Sequence, residues 1–234
     1  MNKSSLTPPS GQHQIIPVVI IDDHTLVASL ITQVLELEGK YRVVGRAENA
    51  QQGLELCRQT RPLLVILDIV LPGSKNLDCL RQVRTLCPAA RVLVFSGNLQ
   101  EKLVRDILLL GADGIIGKSA SLPEFIEAVN CVSSGRTYLC PTTSETVRSI
   151  VTTATAKSGQ DPALSRRELS VLRHIAAGAS TREIAAKLGL SQNTINAFRG
   201  RLMKKTGLHG AVNLSLYALR RGLLGSGFPQ ASGK

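Results

Sequence analysis

The stretch Leu63-Leu64-Val65-Ile66-Leu67-Asp68-Ile69-Val70-Leu71-Pro72-Gly73 narrows the possible folds sharply. Its apolar residues run without alternation, as a strand covered on both faces requires, and Pro62 and Pro72-Gly73 bracket it. Such a strand belongs in a parallel sheet between helix layers, and it carries Asp68 to the rim. A second strand of this kind, Pro17-Val18-Val19-Ile20-Ile21, ends on Asp22-Asp23. If the two are neighbours in a doubly wound sheet, three carboxylates meet in the crevice beyond the strand ends, where such sheets place their ligands. Like charges that close cannot all stay ionised unless a cation neutralises them. Oxygen donors on a partly hydrated rim suit Mg²⁺ better than zinc or copper.

From residue 15 the chain alternates strand-like and helix-like patterns, the rhythm of an α/β domain with a doubly wound, five-stranded parallel sheet. Leu26, Leu30, Val34 and Leu37 recur at helical spacing until Gly39. Tyr41 to Gly45 reads as the second strand and 50–60 as the second helix. A helix at 76–86 follows Asp68, then the strand Arg91 to Phe95, which ends on Ser96-Gly97. A helix at 100–110 leads through Gly111-Ala112-Asp113-Gly114 into a fifth strand, Ile115 to Gly117, which ends on Lys118. The last helix of the unit opens on the capping box Ser121-Leu122-Pro123-Glu124. The domain expected over 15–140 is followed by a linker at 141–163, with room for one short helix, and then by an all-helical domain at 164–224. Residues 1–14 and 225–234 read as flexible tails.

The net charge of +11 is carried unevenly. Residues 1–140 hold 14 Lys/Arg against 13 Asp/Glu, whereas 141–234 hold 14 against 4. The helical half is therefore the candidate for a polyanion, with nucleic acid ahead of a membrane surface. No apolar run approaches the roughly 20 residues of a membrane-spanning helix, and no signal peptide opens the chain, so a cytoplasmic protein is expected. Cys57, Cys79, Cys87, Cys131 and Cys140 match neither a metal site nor a redox pair and read as reduced thiols.

Each strand facing the crevice ends in a polar group: Asp22-Asp23, Asp68, Ser96, Lys118. An acid that accepts a phosphoryl group needs a metal to screen the incoming oxygens, a hydroxyl to hold one of them and a cation for the charge gained. These residues supply such parts. Residues 16–135 resemble the receiver domains of two-component response regulators, through Ile21-Asp22-Asp23-His24, Asp68 with Pro72, Ser96-Gly97, and Gly111-Ala112-Asp113-Gly114 to Lys118. The resemblance implies Asp68 as phosphoacceptor, Asp23 as Mg²⁺ ligand, Asp22 acting mainly through water, and the Val70 carbonyl completing the site. Ser96 and Lys118 then bind phosphoryl oxygens, and a sensor histidine kinase is the partner. His24 is assigned no role. Ile115 stands where many receivers carry an aromatic switch residue.

In the basic half, the capping boxes Ser165-Arg166-Arg167-Glu168 and Ser180-Thr181-Arg182-Glu183 start helices at 166–177 and 181–188, and Gly178 and Gly189 stop them. Ser191 caps a third helix at 192–205, and a fourth covers 211–222. Two helices joined at Gly189-Leu190-Ser191 make a helix-turn-helix whose second helix can enter a major groove. Ile195, Leu202 and Thr206 share one face of it. Asn193, Asn196, Ala197, Gly200, Arg201 and Lys204 share the other, while Arg199 falls toward the buried flank. Residues 164–224 resemble the four-helix DNA-binding domain of the NarL/FixJ (LuxR-type) regulators through Leu164 to Leu169, Ala177-Gly178, Ser180 to Ala185, Leu188, Ser191 and Thr194-Ile195. Asn196, Phe198 and Gly200 replace residues that are frequently basic in that family. The resemblance implies double-stranded DNA as ligand, with Thr181, Arg182, Thr194, Arg199 and Lys205 joining the outer face as candidate contacts. It also implies a homodimer on phosphorylation, through the fourth and fifth helices of the receiver.

The sequence thus reads as a phosphorylation-controlled, non-enzymatic DNA-binding transcription regulator. One alternative keeps DNA binding but makes the first domain an interaction module that is not phosphorylated. Another is an aspartyl-phosphate phosphatase, disfavoured because the second acid of such enzymes would fall at Val70.

Overall fold

The computed structural model describes residues 15–73, 77–97, 99–139 and 162–223. The expected tails, and the linker with its short helix apart from Pro162 and Ala163, lie outside the described residues.

The first half alternates β1 (Ile16–Ile21), α1 (Thr25–Leu37), β2 (Tyr41–Ala47), α2 (Ala50–Thr60), β3 (Leu64–Leu67), α3 (Asp78–Leu86), β4 (Arg91–Ser96), α4 (Glu101–Leu109), β5 (Gly114–Gly117), α5 (Leu122–Ser133) and β6 (Tyr138–Leu139). All strand pairs are parallel, in the order β2-β1-β3-β4-β5-β6. The sheet has six strands where five were expected. The extra one is a two-residue edge that pairs Tyr138 and Leu139 with Gly114 and Ile115, too short to show a hydrophobic period.

The central strands alternate into two cores. Val19, Ile21, Val65, Leu67, Val92, Val94 and Ile115 face one layer, which includes Cys57 of α2, Leu80 of α3 and Ile107 of α4. Val18, Ile20, Leu64, Ile66, Leu93 and Phe95 face the other, with Leu35 of α1 and Val129 of α5. This covering on both faces accounts for the unbroken apolar runs. Cys57, Cys79, Cys87 and Cys131 carry free thiols.

Helix α1 forms where the spacing expects it, but it buries a different stripe from the one that marks it in the sequence. Its buried residues are Ala28, Ile31, Val34 and Leu35, whereas Leu26, Leu30 and Leu37 are 82%, 58% and 87% exposed. Two apolar stripes run along this helix at helical spacing, and periodicity does not choose between them. Packing does, by pressing the alanine and the β-branched residues against the sheet.

The second half consists of α6 (Arg166–Ala176), α7 (Thr181–Leu188), α8 (Gln192–Thr206) and α9 (Gly210–Arg220). The Ser165 and Ser180 capping boxes are complete, and Ser191 caps α8. Gly189 and Gly207 end α7 and α8 in the left-handed region, which glycine enters without a Cβ clash. Val171, Leu172, Ile184, Ile195, Leu202 and Leu214 form the core.

The halves touch along α4 and α9. Val212 joins the core of the α/β half. Asn213 Nδ2 donates to the carbonyls of Leu108 and Leu109 at 3.1 and 3.0 Å. Gly111 and Gly210 meet face to face: a Cβ on Gly210 would lie 2.6 Å from the Gly111 oxygen, so both backbones depend on glycine here.

Leu35→Ala, which empties a buried position on α1, is expected to cost about 2–5 kcal/mol, and Leu37→Ala to stay within about 0.5 kcal/mol. Urea unfolding of the two variants followed by circular dichroism measures the difference; equal losses would mean that α1 packs by its other stripe.

Candidate functional site: an acidic crevice and a covered basic helix

Parallel pairing assembles the crevice. The register Ile21↔Leu67 sets the ends of β1 and β3 side by side, and the Asp68 N–H donates to the Ile21 carbonyl at 2.8 Å. On the far side Ser96 pairs with Gly117, and the Lys118 N–H donates to the Ser96 carbonyl at 3.0 Å. Asp22, Asp68 and Ser96 are buried. Lys118 bridges the acids, its Nζ lying 2.7 Å from Asp68 Oδ2 and 2.8 Å from Asp22 Oδ2. Burial pulls the Lys118 pKa down, but the hydrogen bonds it donates to Asp22 and Asp68 outweigh this and hold the pKa above its ordinary value.

Asp22, Asp23, Asp68 and His24 each bring one donor atom within 4.8 Å of the others. Asp23 Oδ1 is buried without a hydrogen bond and faces His24 Nδ1 at 2.9 Å. Three carboxylates meet here and one lysine pairs with two of them, so the donors suit a divalent cation and the excess negative charge calls for one. Val70 stands exposed at the mouth, and its N–H donates to Asp68 Oδ1 at 3.1 Å. His24, given no role from sequence, also lies 3.1 Å from Asp22 Oδ1 and 3.3 Å from Lys118 Nζ. Its adjacency to Asp22-Asp23 was the only signal available. Ile115 is fully buried in the core.

On the helix-turn-helix, Arg182, Asn193, Ala197, Arg201 and Lys204 are exposed, and Thr194, Asn196 and Gly200 are half-buried. Arg201 stacks over the Phe198 ring, 4.3 Å from its centroid. Thr194 belongs to the Ser191 cap, its N–H donating to Ser191 Oγ at 3.1 Å. Three of the expected DNA contacts are engaged elsewhere. Lys205 pairs with Glu168 at 2.8 Å and ties α8 to the start of α6. Thr181 is buried and donates its N–H to the Ser134 carbonyl at 2.9 Å. Arg199 is 2% exposed and donates from Nη1 to the Gly135 carbonyl at 3.2 Å. The α/β half therefore covers one flank of α8.

Asp113, which the sequence showed only as part of a turn between two glycines, centres that seam. It pairs with Arg84 and Arg91 and accepts the Val92 N–H at 3.0 Å. Burial alone would raise its pKa, but Arg84 and Arg91, then Arg199, hold it near 2. Burial, and then Arg91 beside it, push the Arg199 guanidinium well below its ordinary pKa, with Asp113 opposing.

Comparison with known proteins gives the same two parts. Residues 18–130 match the response regulator receiver domain, and residues 162–218 match the bacterial regulatory proteins of the luxR family. The fimbriae Z protein of Salmonella typhimurium is 34% identical over 88% of this chain and 98% of its own length. The virulence factors positive transcription regulator BvgA of Bordetella pertussis, named as putative, is 34% identical over the same shares of the two chains. A solved structure of the Salmonella typhimurium RcsB response regulator, from work on conformational dynamism for DNA interaction, is 25% identical. It covers 88% of this chain and 98% of that one, with a TM-score of 0.53.

The Asp113 cluster sets a pH dependence. A carboxyl held near 2 instead of its ordinary 3.8 leaves the unfolded chain with more bound protons between those values. Stability from Asp113 is thus full above about pH 4 and lost as the pH falls through 2, on the order of 2 kcal/mol in all. Asp113→Asn should flatten the acid limb of unfolding measured by circular dichroism between pH 4 and 2; an unchanged limb would remove Asp113 from this role.

Proposed function

Because the chain belongs to the response regulators that join a receiver domain to a LuxR-type DNA-binding domain, transcription regulators of two-component systems, we propose that Asp68 accepts a phosphoryl group from a sensor histidine kinase and that this frees α8 to bind double-stranded DNA. The observation that carries the reading is the crevice itself, where β1, β3, β4 and β5 end on Asp22, Asp68, Ser96 and Lys118, with Lys118 bridging two of the acids. Family membership sets aside the phosphatase alternative.

Asp68 is the nucleophile. An Asp68 carboxylate oxygen attacks phosphorus, the bond from phosphorus to the donor nitrogen breaks, and an acyl phosphate forms. Asp23, Asp68 and the Val70 carbonyl would hold Mg²⁺, with Asp22 acting through water. When bound, the ion screens the charge of the incoming oxygens. Lys118 then exchanges a carboxylate for a phosphoryl oxygen, and the Ser96 hydroxyl holds another.

DNA reading requires the halves to part, since Thr181 and Arg199 are buried at the seam. The seam also covers the end of α4, whose Leu108 and Leu109 carbonyls bind Asn213. Separation would therefore free one of the helices expected to pair in a phosphorylated homodimer, and two half-sites multiply the few base contacts of one helix-turn-helix. Asn196 is the candidate base reader, because asparagine pairs bidentately with adenine, and Lys204 is the candidate phosphate contact.

Acetyl phosphate with Mg²⁺ should add one phosphoryl mass to the chain, and Asp68→Asn or chelation should abolish it; modification that persists in Asp68→Asn would overturn the assignment. Asn196→Ala should lower discrimination between specific and random DNA by about 1–3 kcal/mol. Lys204→Ala should weaken both and reduce the salt slope by about one. Salt-series DNA titrations separate the two effects, and a specificity untouched by Asn196→Ala would show that α8 docks by another face.

A further inference from the structure

Between the two halves lies a cavity of about 290 Å³ whose walls come from both. Lys40 and Arg91 line it from the α/β side, and Thr181, Arg182, Asn193 and Asn196 from the helical side. Among the described residues of the wall three are apolar, the others are polar or cationic, and none is an acid. Arg91 also belongs to the seam cluster. Its contacts with Asp113 and Thr181 are long, at 3.4 and 3.5 Å, which leaves donor capacity on the cavity side.

The seam behind this wall is short of negative charge. Arg84, Arg91 and Arg199 gather around the single carboxylate of Asp113. Arg84 and Arg199 are 1% and 2% exposed, yet Arg84 Nε and both Nε and Nη2 of Arg199 have no hydrogen-bond partner. Arg84 already pairs with Asp113 and donates to the Ala90 carbonyl, and Arg199 donates to the Gly135 carbonyl, so what these two arginines add, from behind the wall, is positive potential that favours an anion in the cleft. DNA binding explains Arg182, Asn193 and Asn196. It does not explain Lys40 and Arg91, which belong to the sheet domain.

We infer that this cleft binds a small phosphate-bearing anion, which bridges the two halves and holds α8 covered. Arginine, lysine, hydroxyl and amide donors match a compact oxyanion of more than one charge. The volume sits at the floor of ordinary ligand pockets, and among the described residues no aromatic side chain lines it to stack a base, so the ligand is of inorganic phosphate or pyrophosphate size and not a nucleotide. Because the donors come from both halves, the anion binds only the docked arrangement. It therefore competes with DNA by mass action. This antagonism rests on the DNA-binding reading; the binding itself does not.

The test uses the full unphosphorylated chain, with pyrophosphate as the probe and chloride at matched ionic strength as the control. Calorimetry should show saturable binding of one pyrophosphate per chain. It should be retained in Asp68→Asn, which separates the cleft from the acidic crevice, and weakened roughly tenfold or more in Lys40→Gln. DNA titrations should then show wild-type affinity falling roughly tenfold at pyrophosphate about ten times its own dissociation constant, beyond the effect of chloride. Lys40→Gln should bind DNA normally without pyrophosphate and resist this loss. Absence of saturable binding would overturn the inference. So would pyrophosphate binding equally tight in Lys40→Gln, because the anion would then occupy the DNA-facing residues alone. Binding that depends on Lys40 in a chain that binds no DNA would uphold the site while removing the DNA-binding reading.

Discussion

The parallel pairing of β1 with β3 is the contact on which the rest depends. Main-chain bonds at the ends of these strands force Asp22 and Asp68 into one crevice, where their charges repel. The sheet imposes this because Val18 to Ile21 and Leu64 to Leu67 are buried on both faces, and a slip of register would move each to the wrong core. Lys118, arriving from β5, offsets part of the repulsion. The remaining imbalance is what fits the crevice to a divalent cation and, once that is bound, to a phosphoryl group.

A second imbalance, of opposite sign, lies at the other end of the domain. Asp113 neutralises one of three guanidiniums, and the Arg199 supplied by α8 keeps two nitrogens unpaired. The acidic crevice lacks positive charge, and the basic seam lacks negative charge. Burying an incompletely paired cation costs electrostatic free energy, which the docked arrangement must offset elsewhere. Asn213 and the facing glycines supply the neutral part of the contact.

The crevice was legible in the chain because its parts are local: a strand, then an acid, hydroxyl or lysine at its end. The capping boxes at Ser121, Ser165 and Ser180 were legible for the same reason, since a cap spans four residues. The exposed stripe of α1 was not, because Leu26, Leu30 and Leu37 fit a helix as well as Ala28, Ile31 and Leu35 do. Nor was β6, whose two residues form a strand only by virtue of the edge beside them.

The sequence by itself determined the α/β and helical halves, their order, the polar strand ends and the basic character of the second half. Each follows from periodicity, charge and capping within short windows. The tertiary structure alone decided that Lys205 holds Glu168, that Thr181 and Arg199 face the receiver, and that His24 stands among the crevice acids. Those outcomes depend on contacts such as Arg199 with Gly135, 64 residues apart along the chain. A helical wheel sorts the faces of one helix but not what lies against them, and only the docking of the two halves adds Arg199 to the two arginines, Arg84 and Arg91, that already flank Asp113.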